Sequence, residues 1–334
     1  MLVPSSTPHA PRIVRGKPPP AMALRGAAQE LRATLQAAPP TIAPKYLYDA
    51  RGCALYEAIT ELPEYHLPRV ERAILDRHQA DMLRLLPRGA ELIDIGSGDG
   101  LKARRWLDAG IVRRYIGIDI AADWLSECLK HGQQRYPQVR FDGVVTDLTW
   151  GFDLPLPREA DRPRLFCYPG SSIGNFEPAA ATALLAQMRA HMRAGDVLLL
   201  AVDGPVEPAR MVRAYDDAAG VTAAFNLNVL NVVNRELGAD FDPTGFRHRA
   251  VFNPDASRME MHLVAKRTQT VNLGAGQALA LQAGDFIVTE HSYKHSAARA
   301  EQMLRSAGFD RVQRFGIEGE AYGVYVAGIG HAKP

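Results

Sequence analysis

The sequence predicts an α/β fold with a doubly wound sheet, and three observations support this prediction. Buried-strand runs alternate with helix-forming segments over residues 89–204, as in a parallel sheet with crossover helices. A glycine-rich turn at residues 96–100 follows the first of these strands directly. The next two strands end in Asp119 and Asp147. Because such sheets bind ligands at the carboxyl ends of their strands, we expect the binding site at this edge.

Changes of pattern divide the chain into four predicted parts. Residues 1–22 hold no continuous apolar segment of the signal-peptide type, and we expect a disordered tail. Helix-prone segments broken at prolines predict an N-terminal helical element over 23–88. Five strands with their helices over 89–204 form the core, which a helix and two strands over 297–334 complete. A long helix followed by strand-like pieces predicts an inserted α+β substrate-binding lobe over 205–296.

The composition narrows the class of protein. Of the 334 residues, 47% are hydrophobic and 23% charged, as in soluble globular proteins. The net charge is only +2 and no long Lys/Arg block occurs, which argues against nucleic acid as a partner. The cysteines, Cys53, Cys128 and Cys167, lack C-x-x-C spacing, so we expect neither disulfides nor zinc, and a cytoplasmic location. No apolar run approaches the ~18 residues of a membrane span, and we expect a monomer that binds a small molecule.

The strand ends favour a particular cofactor. Gly96 and Gly98 let the backbone approach a ligand without a Cβ clash. Asp119 is placed to accept hydrogen bonds from two ribose hydroxyls, and Asp147 from an adenine amino group. Acidic residues at successive strand ends favour a positively charged nucleoside over a pyrophosphate, which predicts S-adenosylmethionine (SAM). The alternatives are an NAD site, which the same glycine pattern fits, and aspartates that only cap strand ends.

Two segments suggest an acceptor site. Four of the 11 tyrosines fall in one N-terminal stretch and predict a hydroxyl-lined lid, although each alone is typical of a core aromatic: Tyr46, Tyr48, Tyr56 and Tyr65. The loop YPGSSIGNF, residues 168–176, follows a strand and contains the residue types that let backbone and a short amide approach a ligand closely. Asn175 is the amide of this loop.

A third segment, TEHSYKHS, combines a carboxylate with hydroxyls. A strand period of two places Glu290, Ser292 and Lys294 on one face and His291 and Tyr293 on the other. A carboxylate beside a hydroxyl can accept from and donate to a ring with two nitrogens. The alternative is an exposed Glu290 neutralised by Lys294. The histidines of this segment lack a third ligand nearby, so no metal site is predicted.

Seven motifs occur in order between Pro44 and Ile329: KYLYDARG, LPEYHLPR, IDIGSGDGLKA, PGSSIGNF, AYDDAAGVTAAFN, RMEMHL and TEHSYKHS. Through them the sequence resembles the SAM-dependent histidine Nα-methyltransferases of ergothioneine biosynthesis. The resemblance implies a class I methyltransferase fold, Rossmann-like, with the helical element and the inserted lobe described above. The sequence departs from the family pattern after Tyr65, where the family usually has a second Tyr followed by Pro-Thr-Arg and this chain has His66-Leu67-Pro68-Arg69.

The resemblance implies roles for individual residues. It assigns the substrate to six of them: Tyr65, Asn175, Tyr215, Met261, Glu290 and Ser292. Asn175 and Tyr215 would bind the α-carboxylate, whereas Glu290 and Ser292 would hold the imidazole nitrogens. Tyr65 would border the imidazole and Met261 would pack against it. Tyr48 would lie near the α-amino group as the catalytic residue.

The same resemblance implies the cofactor site and the reaction. The matched cofactor positions are Gly96, Lys102, Asp119 and Asp147, with Lys102 on the methionine carboxylate. The implied reaction is Nα-trimethylation of L-histidine to hercynine, the first step of ergothioneine biosynthesis. Attack requires a neutral amine, and water or Tyr48 would accept the proton. The alternatives are an Nα-methyltransferase of another amino acid, such as tryptophan, and a nonenzymatic nucleotide-binding regulator.

Overall fold

The structure is a computed structural model that describes residues 10–16 and 26–330. The strands are β1 (Arg12–Arg15), β2 (Ala90–Ile95), β3 (Val112–Asp119), β4 (Arg140–Val145), β5 (Arg164–Tyr168), β6 (Val197–Val202), β7 (Phe246–Asn253), β8 (Arg258–Ala265), β9 (Gln269–Asn272), β10 (Ala278–Leu281), β11 (Phe286–Tyr293), β12 (Arg311–Phe315) and β13 (Gly323–Gly328). The helices are α1 (Ala27–Leu35), α2 (Ala50–Thr60), α3 (Leu67–Leu85), α4 (Leu101–Asp108), α5 (Ala122–Arg135), α6 (Pro178–Ala190), α7 (Pro208–Tyr215), α8 (Val221–Leu237) and α9 (Ala297–Ser306).

Short-range sequence signals set where several helices begin. Pro178 and Pro208 occupy the first turns of α6 and α7, where the missing N–H costs no hydrogen bond. Asp49 caps α2, because its Oδ1 accepts from the backbone N–H of Gly52 at 2.9 Å. Ser296 caps α9 in the same way through Arg299.

The central sheet has the strand order β1-β4-β3-β2-β5-β6-β13-β12. Neighbouring strands from β1 to β6 are parallel, and β13 runs antiparallel to both β6 and β12. The chain leaves β2 toward β3 on one side and later returns to β5 on the other, which makes the end of β2 the topological switch point. The loops that follow β2, β3 and β5 therefore meet at one edge of the sheet.

Helices cover both faces of this sheet. Leu92 of β2 packs in one hydrophobic layer with Trp106 of α4, to which α3 and α5 also contribute. Ile93, the next residue of β2, packs in the opposite layer with Leu184 of α6 and Leu304 of α9. Successive residues of a strand point to opposite faces, so both faces of β2 are apolar. The predicted doubly wound α/β sheet is confirmed.

The structure differs from the predicted tail at Arg12–Arg15. These residues form β1, which pairs in parallel with the edge strand β4. An edge strand offers unpaired backbone groups to any extended segment within reach, so a strand forms here without an apolar pattern of its own. Residues 1–9 and 17–22 of the predicted tail lie outside the described residues.

A second group of elements lies between β6 and α9. Strands β7, β8 and β11 form an antiparallel sheet in the order β11-β8-β7, and β9 pairs with β10. The N-terminal helices pack on this group: the backbone of Val288 in β11 exchanges hydrogen bonds with Pro40 and Ile42, each 2.9 Å. Asn228 of α8 also donates to Asp49 at 2.8 Å. In the part of the chain that the structure describes, no helix is long and apolar enough to cross a membrane.

Candidate active site

The glycine turn after β2 leaves space beside its backbone. Gly96 and Gly98 have φ of +65° and +52°, the left-handed region that favours glycine. A Cβ added at either position would meet no atom within 4 Å, so both glycines border open space. The backbone N–H of Gly98 donates to Oδ2 of Asp119 at 2.9 Å. Two predicted cofactor elements, the turn and the end of β3, are thus in direct contact.

Two buried polar atoms beside this turn have no partner. Asp94 at the end of β2 accepts from the Tyr115 hydroxyl at 2.8 Å through Oδ2, but its Oδ1 is unpaired, as is Oγ of Ser97. Burial raises the pKa of Asp94 to about 7. Unpaired buried polar atoms are costly, and a polar or cationic ligand would satisfy them. The acidic, open glycine turn therefore fits the charged end of SAM.

Asp147 and Lys102 lie at two other points of the same edge. Asp147 caps a 3₁₀ turn through the backbone N–H of Thr149 at 2.8 Å, and its Oδ2 accepts from Nζ of Lys45 at 3.0 Å. Lys45 also pairs with Glu30 at 3.0 Å. The predicted acceptor for adenine thus has a lysine partner in this structure, and it also acts as the cap that the alternative interpretation proposed.

Lys102 lies in the first turn of α4, with Nζ 3.3 Å from Oε1 of Glu71. The Lys102 side chain is 40% exposed; its desolvation lowers its pKa, but nearby groups, the Glu71 carboxylate foremost, more than offset this and leave the pKa raised. Oε2 of Glu71 accepts from the backbone N–H of Gly170 at 2.6 Å and from the Tyr322 hydroxyl. A Cβ on Gly170 would lie 2.6 Å from Nζ of Lys102. Glu71 therefore holds Lys102 against the YPGSSIGNF loop.

The same loop lines a cavity. It is lined by Tyr48, Tyr56, Ile59, Tyr65, Leu67, Gly170, Ser171, Ser172, Asn175, Ala214, Tyr215, Thr222, Phe225, Met261, Glu290 and Ser292. All seven residues predicted for the acceptor side are among them. Gly170, whose backbone contacts Lys102, also lines the cavity, so the predicted cofactor and acceptor residues converge at this loop.

The loop is fastened to the strands around it. Oγ of Ser171 accepts from the backbone N–H of Asp203 at 2.8 Å, and Ser171 itself has a φ of +59°. A Cβ on Gly174 would lie 2.7 Å from the carbonyl oxygen of Tyr293, so only glycine allows this approach to β11. The 3₁₀ turn Ser172–Asn175 then brings Asn175 to the cavity wall.

Aromatic rings form one side of the cavity. Tyr56 packs edge to face against Tyr48 and Tyr65, with ring centroids 5.8 Å and 6.5 Å apart, and Tyr65 packs against Tyr215 at 6.3 Å. Burial raises the pKa of Tyr48 well above its ordinary value, which keeps the hydroxyl protonated at neutral pH. Tyr46, the fourth tyrosine of the cluster, does not line the cavity, and its buried hydroxyl has no hydrogen-bond partner.

The strand that carries Glu290 contains a bulge. Val288 opposes His262 and Glu290 opposes Met261, which leaves Thr289 as the extra residue. Oγ1 of Thr289 donates to the side chain of Asn226 at 2.6 Å and so anchors the bulge to α8. Glu290 then faces the cavity, where burial raises its pKa and the charge of Lys294 partly offsets the rise, which leaves the pKa at about 7.

The predicted alternation along this strand is present. Ser292 lines the cavity with Glu290, whereas Tyr293 accepts from Arg258 at 2.6 Å and His291 lies 3.8 Å from Glu177, both away from it. Lys294 shares the face of Ser292, but its ion pair is with Asp203 at 2.8 Å. The exposed Glu290–Lys294 pair of the alternative interpretation is not found. The described residues also contain no group of three or more His, Cys, Asp or Glu that could hold a metal ion.

Several residues of the site were not predicted from the sequence. Thr222 and Phe225 line the cavity from α8, and the Oγ1 of Thr222 is buried without a partner. Both lie in the motif AYDDAAGVTAAFN, in which the resemblance assigns a role only to Tyr215. Leu67, one of the residues that depart from the family pattern, also lines the cavity and is 4% exposed.

Comparisons with known proteins identify the family of the chain. A family model described as histidine-specific, SAM-dependent methyltransferase matches residues 27–328. The histidine N-alpha-methyltransferase of Mycobacterium tuberculosis is 38% identical over 298 residues, 88% of this chain and 92% of that protein. The protein of the same name from Mycolicibacterium smegmatis is 40% identical, covering 84% and 88%. Ergothioneine biosynthesis protein 1 of Neurospora crassa is 29% identical, covering 84% of this chain and 32% of that protein.

Proposed function

Because the chain belongs to the family of histidine-specific, SAM-dependent methyltransferases, we propose that it converts L-histidine to its Nα-trimethyl derivative, hercynine, the first step of ergothioneine biosynthesis. The observation that carries this proposal is the cavity. It joins a carboxylate, hydroxyls, an amide and aromatic rings at the loop whose Gly170 lies beside Lys102. A zwitterionic amino acid with a polar aromatic side chain matches that set.

The cofactor would be held at the edge formed by five residues: Gly96, Gly98, Lys102, Asp119 and Asp147. When bound, SAM supplies an electrophilic methyl group on a positively charged sulfur. Asp119 offers carboxylate oxygens beside the glycine turn, which suits a ribose diol. Lys102 offers an ammonium group next to Gly170, which suits the methionine carboxylate. Asp147 serves the adenine amino group when Lys45 moves away from its Oδ2.

The amino-acid substrate would lie across the cavity. Asn175 and Tyr215 bind its α-carboxylate, since both offer hydrogen-bond donors on the wall. Glu290 accepts from one imidazole nitrogen and Ser292 contacts the other, with Met261 against the ring. Tyr65, on the aromatic side, borders the imidazole. We also propose that the elements within 205–296 and the N-terminal helices together form the substrate-binding lobe.

The protein's main task is to present a neutral amine in line with the methyl group. Tyr48 is the residue assigned to the α-amino group, and its raised pKa makes it a poor base on its own. We propose that the ammonium proton leaves to water, with Tyr48 as a relay. Each transfer adds one methyl group, and after three transfers the nitrogen is a quaternary ammonium. The rings of Tyr48, Tyr56 and Phe225 provide π-faces that suit this cation.

Location and assembly belong to the same proposal. The described cysteines are all free thiols, which is typical of a reducing compartment, and we propose the cytoplasm. We propose a monomer that works on a small molecule without nucleic acid or membrane partners. Size-exclusion chromatography with light scattering measures the assembly directly; a stable dimer at low micromolar concentration would contradict the monomer.

The test of the reaction is product analysis. We expect the full chain, incubated with SAM and L-histidine, to yield mono-, di- and trimethylhistidine in succession by mass spectrometry. Parallel reactions with tryptophan and other amino acids serve as controls for the acceptor. Methylation of tryptophan in preference to histidine would replace the proposed substrate, and SAM binding without any methylated product would favour the nonenzymatic alternative.

A further inference from the structure

Lys294 is a buried cation whose ammonium group contacts one carboxylate, that of Asp203, and two residues that line the cavity, Tyr215 and Ser292. It directly follows β11, and it is 3% exposed. Its Nζ lies 2.8 Å from Oδ2 of Asp203, 2.8 Å from Oη of Tyr215 and 3.0 Å from Oγ of Ser292. Asp203, which directly follows β6, is also buried. The ion pair therefore lies behind two residues of the cavity wall.

The three N–H donors of the Lys294 ammonium group restrict how the hydroxyls of Tyr215 and Ser292 are oriented. An ammonium group has three N–H donors and no acceptor, and here the three partners use all of them. The hydroxyl oxygens of Tyr215 and Ser292 therefore accept from Lys294, and their own protons cannot point toward it. These two oxygens are 2.8 Å apart, so at most one of the two protons lies between them. At least one proton is thus free to point into the cavity.

We infer that Asp203 and Lys294 are positioning residues that orient the hydroxyls of Tyr215 and Ser292, so that at least one of these hydroxyls donates a hydrogen bond into the cavity. This inference rests on the proposed function, in which Tyr215 binds the α-carboxylate and Ser292 binds the imidazole. One buried ammonium then sets the geometry at both ends of the amino-acid substrate. Neither Asp203 nor Lys294 has to touch the substrate.

The surroundings of Lys294 support a lasting positive charge. Burial by itself would lower the pKa of Lys294, but Asp203 and Tyr215 raise it well above its ordinary value. Its backbone is anchored separately, since its N–H donates to the Ser257 carbonyl at 2.7 Å and its carbonyl accepts from the Ser257 hydroxyl at 2.9 Å. Replacement of the side chain therefore leaves the main-chain attachment of this segment in place.

The test measures how loss of the Asp203–Lys294 ion pair changes the KM for histidine, once in the natural chain and once in a chain without the two hydroxyls. The paired substitution Asp203→Asn and Lys294→Met removes both charges together, which avoids an unpaired buried ion. In the otherwise natural chain we expect the KM for histidine to rise about tenfold or more, with the affinity for SAM changed less than about twofold. In a chain that also carries Tyr215→Phe and Ser292→Ala, the same paired substitution should change the KM by less than about twofold, because the hydroxyls it acts through are gone.

A purely structural role gives a different pattern. It predicts an equal fold-change in both backgrounds, and that result, or an unchanged KM in the natural background, would overturn the inference. If the paired variant fails to fold, as judged by thermal unfolding, Asp203→Asn alone is measured in the same two backgrounds with the same two outcomes. Activity of the unsubstituted chain on histidine is measured first, so failure of the proposed function is detected separately.

Discussion

Glu290 and Lys294 carry opposite charges on the same face of one strand segment, yet the structure gives them different surroundings. Lys294 pairs with Asp203, whereas Glu290 faces the cavity without a charged partner in direct contact. A carboxylate left in a cavity in this way is costly unless a ligand donates to it. A ligand without a matching N–H leaves the Glu290 carboxylate unpaired and therefore binds less tightly. We propose that Glu290 selects for histidine in this way.

The residue-scale prediction concerns Glu290→Ala. We expect kcat/KM for histidine to fall by a factor on the order of 10² or more, because a buried polar pairing is lost. Discrimination against tryptophan should weaken at the same time, since the carboxylate that an indole would leave unpaired is absent. Steady-state kinetics with both amino acids measures the two effects.

His291→Ala provides the control for that prediction. His291 is the next residue of the strand and faces away from the cavity, toward Glu177. Its replacement should change kcat/KM for histidine by less than about threefold, as for a surface substitution. A Glu290→Ala variant with the efficiency of the natural chain would mean that the imidazole is bound elsewhere.

At the scale of elements, the loop after β5 connects the two halves of the site. Its Gly170 contacts Lys102 on the cofactor side, and its Asn175 reaches the cavity. The bulge in β11 and the close approach of Gly174 to that strand set the distance between the loop and Glu290. The proposed site therefore depends on how the loop after β5 packs against β11 as well as on the side chains of these two elements.

The element-scale prediction concerns Gly174→Ala. The new Cβ would lie 2.7 Å from the carbonyl oxygen of Tyr293, so the loop has to move away from β11 and carry Asn175 with it. We expect the KM for histidine to rise about tenfold or more, since even a small misplacement of a binding group is costly. Calorimetry of SAM binding should show a smaller change.

Gly26→Ala is the matched control for this substitution. Gly26 precedes α1 with a φ of −60°, and an added Cβ there meets no atom within 4 Å. The control should keep both constants within about twofold of the natural chain. Unchanged histidine kinetics in Gly174→Ala would show that the approach of the loop to β11 does not position Asn175.

At the scale of the whole molecule, the site reduces the stability of the fold. Asp94 is a buried carboxyl and Glu290 a partly buried one, and the pKa values of both are raised to about 7. A carboxyl with a folded pKa above its unfolded value holds its proton more tightly in the folded state. Its contribution is fully favourable below the unfolded pKa and is lost as the pH rises through about 7. The ligand-free protein should therefore lose stability between about pH 4 and pH 8 through these groups.

The whole-molecule prediction uses Glu290→Gln, which removes the ionisable group and keeps its shape. At pH 8 the natural carboxylate is ionised and partly buried, so the variant should be more stable, by up to about 3 kcal/mol and a few degrees in Tm. At pH 4.5 the difference should largely disappear. Thermal unfolding of both chains without ligands at the two pH values measures it, with the exposed Glu318→Gln as control. A Tm gain that is equal at both pH values would contradict the raised pKa.

Much of the fold and of the candidate site could be predicted because the signals are local. The alternation of strands and helices, the glycine turn and the strand-end aspartates are all visible within short windows. The strand period placed Glu290 and Ser292 on one face, and both line the cavity. The resemblance to a known family added Tyr215 and Met261, which no single window selects, whereas Thr222, Phe225 and Leu67 were found only in the structure.

The sequence by itself determined the fold class, the position of the cofactor turn and most residues of the proposed site, since these follow from local periodicity and from motifs. Only the tertiary structure decided which groups become partners. In the structure β1 pairs with β4, and the N-terminal helices pack against α8 and β11. Lys294 forms its ion pair with Asp203 rather than with Glu290. The physical reason is that these contacts join segments far apart in the chain. Their geometry is set only when the sheet and the lobe fold together, and the side-chain pattern of a short segment does not specify which distant segment it will contact.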